Sequence, residues 1–142
     1  MKFVRTVTVQ QPLDRVFAYL RDFTTTMEWD PATVRTTRIT GDGGVGTEYL
    51  NVSQFLGREA EVRYIVTELV PHRRFALRGE NQSLVAHDEM TLVGSPEHTT
   101  VTYAATFVPK GLMRLATPLL SLALGRLVDR GAAGLEQALQ RI

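Results

Sequence analysis

TPLLSLALGRLVDRGAAGLEQALQRI, residues 117–142, decides the fold. Thr117-Pro118 offers an N-cap and a first-turn proline, whose missing N–H would have no helical partner anyway. Beyond it Leu120, Leu124, Leu127, Gly131, Leu135, Ala138 and Ile142 advance by three or four residues, which places them on one face of a long helix. A stripe running nearly the whole helix must be covered by something.

The cover has to come from upstream, and there the sequence reads as sheet. Runs rich in β-branched and aromatic residues, separated by Gly, Pro, Asn and Ser, predict strands at Val34–Thr40, Thr47–Leu56, Ala60–Val70, Arg73–Gly79, Leu84–Val93 and Thr99–Phe107. Their connections are hairpin-short, so neighbours should be antiparallel. Phe3–Val9 predicts a further strand. After Pro12, the residues Leu13, Val16, Phe17 and Leu20 form one apolar helical face. A second short helix is expected over Asp22–Glu28, capped by Thr24, Thr25 or Thr26 and ended by Pro31, which forbids the α region to Asp30. The fold class is therefore α+β: one strand, two short helices, about six antiparallel strands, and a long helix against the curved sheet.

With 142 residues, the chain has the length of a single domain spanning 1–142. Its formal charge of +1 gives no field for nucleic acid. The lack of cysteine removes disulfides, thiolate nucleophiles and Cys-type zinc sites. MKFVRTVTV reads directly as strand rather than as a secretory leader, which makes the cytoplasm the expected location. Leu112–Val128 is leucine-rich but shorter than the roughly 20 residues a bilayer span needs, and Arg114, Pro118 and Arg126 interrupt it. A buried helix is expected there in preference to membrane or partner binding, with no stable membrane insertion, and an interaction module would need the leucine stripe to be exposed; the chain is expected as a monomer or homodimer.

Some patterns tempt. Gly41-Asp42-Gly43-Gly44-Val45-Gly46 fits G-x-G-x-x-G, yet it leads into Thr47-Glu48-Tyr49-Leu50, which has strand composition where a dinucleotide site needs a helix. A glycine-rich hairpin is the better reading. His72, His87 and His98 have no metal-ligand spacing, and no nucleophile elbow is present. No metal or cofactor is expected.

Strand alternation sorts the remaining polar groups by face. Leu84, Ala86, Met90 and Leu92 form the apolar side of their strand with Asp88 in their midst. A buried carboxylate must find a partner, hold its proton or face a polar cavity. The companion sets Tyr49, Asn51, Ser53 and Phe55; Val62, Tyr64 and Val66; Phe75 and Leu77; and Val101, Tyr103, Ala105 and Phe107 are expected to face inward too. Hydroxyls and one acid among apolar groups suit a ligand pocket. A solid core with tyrosine hydroxyls reaching solvent is the alternative. Gly125, Gly131 and Gly134 on the last helix provide room or close packing. The candidate ligand-binding residues are Tyr49, Asn51, Ser53, Tyr64, Phe75, Asp88, Met90, Tyr103, Leu124 and Gly131, with Asp88 the best candidate for acid–base chemistry. Glu28-Trp29-Asp30-Pro31-Ala32-Thr33-Val34 holds the only tryptophan and is read as a plug at one end of the fold.

Pro12-Leu13-Asp14-Arg15-Val16-Phe17, Trp29-Asp30-Pro31, Gly46-Thr47, Glu68-Leu69-Val70-Pro71-His72-Arg73-Arg74-Phe75, Thr100-Val101-Thr102-Tyr103 and the leucine-rich last helix together resemble the START-like (SRPBCC) superfamily, in its polyketide cyclase/dehydrase and lipid-transport-like branch. The resemblance covers essentially the whole chain. It implies a helix-grip fold of about seven strands curled around the last helix. It also implies a cavity for a hydrophobic or aromatic small molecule such as a lipid or polyketide, which is bound or carried, or in some members cyclised or dehydrated. No family-wide catalytic motif transfers with it.

Overall fold

Short connections pair consecutive strands antiparallel, and the computed structural model, which describes Met1–Ile142, has seven strands in one sheet. They are β1 (Lys2–Val9), β2 (Thr33–Thr40), β3 (Glu48–Phe55), β4 (Arg58–Val70), β5 (Arg74–Glu80), β6 (Leu84–Gly94) and β7 (Thr99–Pro109). Across the sheet they run β1-β7-β6-β5-β4-β3-β2, so only β1 lies out of sequence order. Helices α1 (Leu13–Leu20) and α2 (Thr26–Trp29), joined by a 3₁₀ turn at Phe23–Thr25, carry the chain from one sheet edge to the other. A second 3₁₀ turn, Gly111–Ala116, leads into α3 (Thr117–Arg141), the helix the sheet grips.

Inward-facing residues follow the alternation: Tyr49, Tyr64, Val66, Phe75, Leu77, Ala86, Met90, Leu92, Val101, Tyr103, Ala105 and Phe107 are all buried. α1 adds Val16, Phe17 and Leu20, the face its spacing predicts. The glycine-rich segment is the hairpin between β2 and β3, and its amides are engaged internally: Gly43 N–H donates to Thr47 Oγ1 (2.8 Å) and Gly44 N–H to Asp42 Oδ1 (2.9 Å).

Local details depart from the sequence expectation. The short helical pair is capped by Asp22, whose side chain accepts from Thr24 N–H, rather than by a threonine side chain. The N-cap of α3 is Ala116, while Thr117 turns its hydroxyl back to the Arg114 carbonyl (2.6 Å). The buried stripe of α3 is Leu120, Leu124, Val128, Gly131, Ala132, Leu135 and Leu139; Leu127, Ala138 and Ile142 are half-buried. The largest correction concerns Leu112–Val128, expected to be buried. Leu112, Leu115, Leu119 and Leu122 are 84, 82, 63 and 54% exposed, because only one side of the helix meets the sheet.

Candidate functional site

Small residues on adjacent strands make the room for a site. Gly79 lies opposite Tyr64 on one side and Ala86 on the other, and Asp88 lies between Leu77 and Ala105. A Cβ on Gly79 would come within 2.6 Å of the Tyr64 ring, so that ring leans over the glycine. Above this low floor is an internal cavity of about 60 Å³. Phe23, Trp29, Tyr64, Tyr103 and Phe107 give it aromatic walls; Thr26, Asp30, Asn51, Ser53 and Asp88 are its polar groups; Leu127, Val128 and Gly131 of α3 close it. The aromatic wall is tightly built: Trp29 meets Tyr103 edge-on at 6.0 Å between centroids, and Phe23 meets Tyr64 at 4.9 Å.

The polar groups fall into two sets. One is tied up. Asp30 accepts from the Ala32 amide (3.0 Å) and the Thr33 hydroxyl (2.9 Å), Asn51 Nδ2 donates to Thr36 Oγ1 (2.9 Å), Ser53 donates to Asn51 Oδ1 (2.7 Å), and the Thr26 and Thr36 hydroxyls are 2.6 Å apart. This network fixes the exit from α2 into β2 against β3. The other set is free: the Asp88 carboxylate and the Tyr64 and Tyr103 hydroxyls make no hydrogen bond to the protein. Every fully sealed polar side-chain atom does have a partner, so these oxygens open onto the cavity.

Electrostatics follow from that placement. Burial, with the Asp30 charge second, pushes the Asp88 carboxyl up to about 7. Burial and then the Asp88 charge hold the Tyr64 and Tyr103 hydroxyls well above their ordinary range, so both remain O–H donors. Burial raises Asp30 as well, against the pull of the Ala32 amide, the Thr33 hydroxyl and the Arg130 charge. Near neutral pH the cavity therefore holds two phenol donors and a carboxyl divided between its acid and base forms.

The cavity brings together Asn51, Ser53, Tyr64, Asp88, Tyr103 and Gly131 of the residues singled out from the sequence. Tyr49, Phe75, Met90 and Leu124 belong instead to the packed core around it. Phe23, Thr26, Trp29, Asp30, Phe107, Leu127 and Val128 line it without having been singled out as site residues. Trp29 does plug the end of the fold, where Gly134 lets α3 pass over its carbonyl, but its ring also walls the cavity. The usable signal was the pairing of that lone tryptophan with glycines in the facing helix.

A second hollow adjoins the first. Gln54, Phe55 and Leu56 at the end of the β3 hairpin and Ala123, Arg126 and Arg130 of α3 line a surface groove of about 230 Å³. Ser53 and Leu127, which line the cavity, are chain neighbours of the groove residues Gln54 and Arg126. A wider depression of about 580 Å³ between Pro12–Arg15, His72 and Gly94–Pro96 is open surface with no inward-converging buried polar groups.

With this geometry in place, the sequence profile of the family described as polyketide cyclase/dehydrase and lipid transport matches residues 1–140. The chain belongs to that family. The solved structures similar to it include the Zhui aromatase/cyclase from Streptomyces sp. R1128 (17% identity, TM-score 0.86, covering 99% of this chain and 94% of that one). TTHA0849 from Thermus thermophilus (14%, 0.83, 98% and 97%) and a START superfamily protein from Mycobacterium smegmatis (13%, 0.78, 99% and 97%) are similar as well. At such identities the likeness is one of fold, and it confirms the helix-grip architecture that the family resemblance implies. No curated protein is a significant sequence match to the chain.

Proposed function

We propose that the protein binds an apolar or aromatic small molecule of the lipid or polyketide kind, bearing a carbonyl or hydroxyl oxygen, with that oxygen held by Asp88, Tyr64 and Tyr103. The observation that carries this reading is the free acid and two free phenols in an aromatic-walled cavity, since buried polar groups without partners are costly unless a ligand or water completes them. Family membership points the same way. At about 60 Å³ the cavity admits only a few waters, well below the ~300 Å³ at which small-molecule sites begin. Opened towards the groove beside Leu127, the hollow would come close to that size, so ligand uptake on this reading displaces Leu127.

Thermal shifts with fatty acids, flavonoids and polyketide-like aromatics, beside native mass spectrometry of the protein as purified, test the reading. Saturable stabilisation by an oxygen-bearing aromatic, weakened about tenfold or more by combining Tyr64→Phe with Tyr103→Phe, is expected from the loss of two neutral hydrogen bonds. Absence of any shift across the three classes contradicts it.

The state of Asp88 favours a second reading, a cyclase or dehydratase. A carboxylate that titrates near neutrality can take a proton from the carbon α to a carbonyl whose oxygen the phenols hold, then return that proton to a departing β-hydroxyl as water leaves. An aryl β-hydroxyketone whose enone product absorbs in the near ultraviolet is the probe. Turnover lost in Asp88→Asn while binding persists supports catalysis; binding without turnover leaves carriage.

A further inference from the structure

Leu112 and Leu115 lie one turn apart in the 3₁₀ segment and Leu119 and Leu122 about one turn apart in α3, and all four are exposed while Leu120 and Leu124 are buried. A helix apolar on both sides is normally enclosed. Here one side faces water, and contiguous exposed leucines of this kind mark an interaction surface. Leu56 extends the patch from the facing side of the groove: it is exposed, and its φ of 52° in the tight turn with Gly57 is a backbone region that leucine rarely adopts.

The charge around the patch selects the partner. From Lys110 to Val128 there is no acidic residue, and Lys110, Arg114 and Arg126 are basic. Lys110 is held by Glu80 at 2.7 Å, whereas Arg114 and Arg126 form no ion pair. Two copies of the chain apposed through this patch would bring the unpaired Arg114 and Arg126 guanidiniums together, and the hairpin across the groove adds a single acid, Glu59, beside the basic Arg58. A surface carrying many negative charges over apolar depth suits both features. The helical run Gly111–Arg141 is long and apolar enough to cross a bilayer, but Leu120, Leu124, Val128, Leu135 and Leu139 are buried against the rest of the fold, so the run suits lying on a surface rather than spanning it.

We infer that the Gly111–Arg126 segment docks on an anionic lipid surface, with Leu112, Leu115, Leu119 and Leu122 entering the acyl boundary and Arg114 and Arg126 meeting lipid phosphates. Ala123 and Arg126 belong both to this segment and to the groove, so the docked protein presents the groove to the bilayer. Docking stands independently of any ligand. Its purpose, exchange of an apolar ligand between bilayer and cavity, rests on the function proposed above.

Co-sedimentation of the full chain with vesicles of phosphatidylcholine alone, and of phosphatidylcholine mixed with phosphatidylglycerol, tests the docking without a ligand. Binding to the mixed vesicles, reduced by salt, is expected. Leu115→Glu and Leu119→Glu should each weaken it on the order of tenfold or more, since each removes a leucine from the apolar phase. Arg114→Glu and Arg126→Glu should each weaken it about fivefold or more. None of the four side chains is buried, so circular dichroism should show native folding throughout. Failure to sediment with either vesicle overturns the inference. So does a wild-type dimer in light scattering that Leu115→Glu dissociates, which would assign the patch to a second copy. Soluble aromatic probes binding to a protein that ignores vesicles would separate failure of the docking from failure of the ligand reading.

Discussion

Asp88 concentrates the chemistry of the molecule in one side chain. It is 7% exposed and lacks a protein partner, so ionising it in the folded state costs free energy. Its folded pKa of about 7 lies above the unfolded carboxylate value near 3.9. Between those values the native state binds the extra proton, and stability falls as pH rises through that window before levelling off above it. Asp88→Asn removes the dependence. Urea melts should show the variant gaining on wild type by about 2–3 kcal/mol more at pH 8 than at pH 5. An unchanged difference would mean that Asp88 has a partner. This residue was legible from alternation alone, because an acid interrupts an apolar set. Asp30 was not legible as a cavity residue, since two short helical turns have too little periodicity to assign a face, and for Trp29 the glycines of α3 were the one signal.

At the scale of the element, α3 fits by its glycines. A Cβ on Gly134 would lie 1.9 Å from the Trp29 carbonyl oxygen, whereas one on Gly131 would sit 3.7 Å from the Trp29 ring at ordinary contact distance. Gly134→Ala must push helix from backbone and is expected to destabilise by about 1–3 kcal/mol or more despite alanine's helix propensity. Gly131→Ala should be neutral or stabilising by up to about 1 kcal/mol. Thermal denaturation of the two variants checks the contrast. That α3 exists and is gripped follows from its stripe. The same spacing separates the buried Leu120 and Leu124 from the exposed Leu119 and Leu122, but not Val128 and Leu139, which are buried in place of Leu127 and Ala138.

For the whole molecule, the antiparallel pairing of consecutive strands and the strand limits were readable to within a few residues because each hairpin is short and each strand is rich in β-branched residues, whereas the place of β1 beside β7 was not, since no short connection links them. The cavity's small size was not readable, since volume depends on how side chains from several strands and helical segments interlock. Leu127 lines the cavity next to the groove residue Arg126, so Leu127→Ala is expected to admit larger aromatic probes, seen as a shift in the size limit of a ligand series. Because the side chain is half-buried, the same change should cost about 1–2 kcal/mol of stability in a urea melt, below the fully buried range.

If the space beneath Trp29 is a ligand site, the chain's only tryptophan stands in its wall and reports on it. Titrating a hydroxylated flavonoid into the protein while following Trp29 fluorescence, with inner-filter correction, reads that space directly. Saturable quenching is expected, and it should disappear in Gly131→Met, where a longer side chain fills the cavity while the fold is kept. Quenching that never saturates, or that persists unchanged in the filled variant, would contradict a ligand site there.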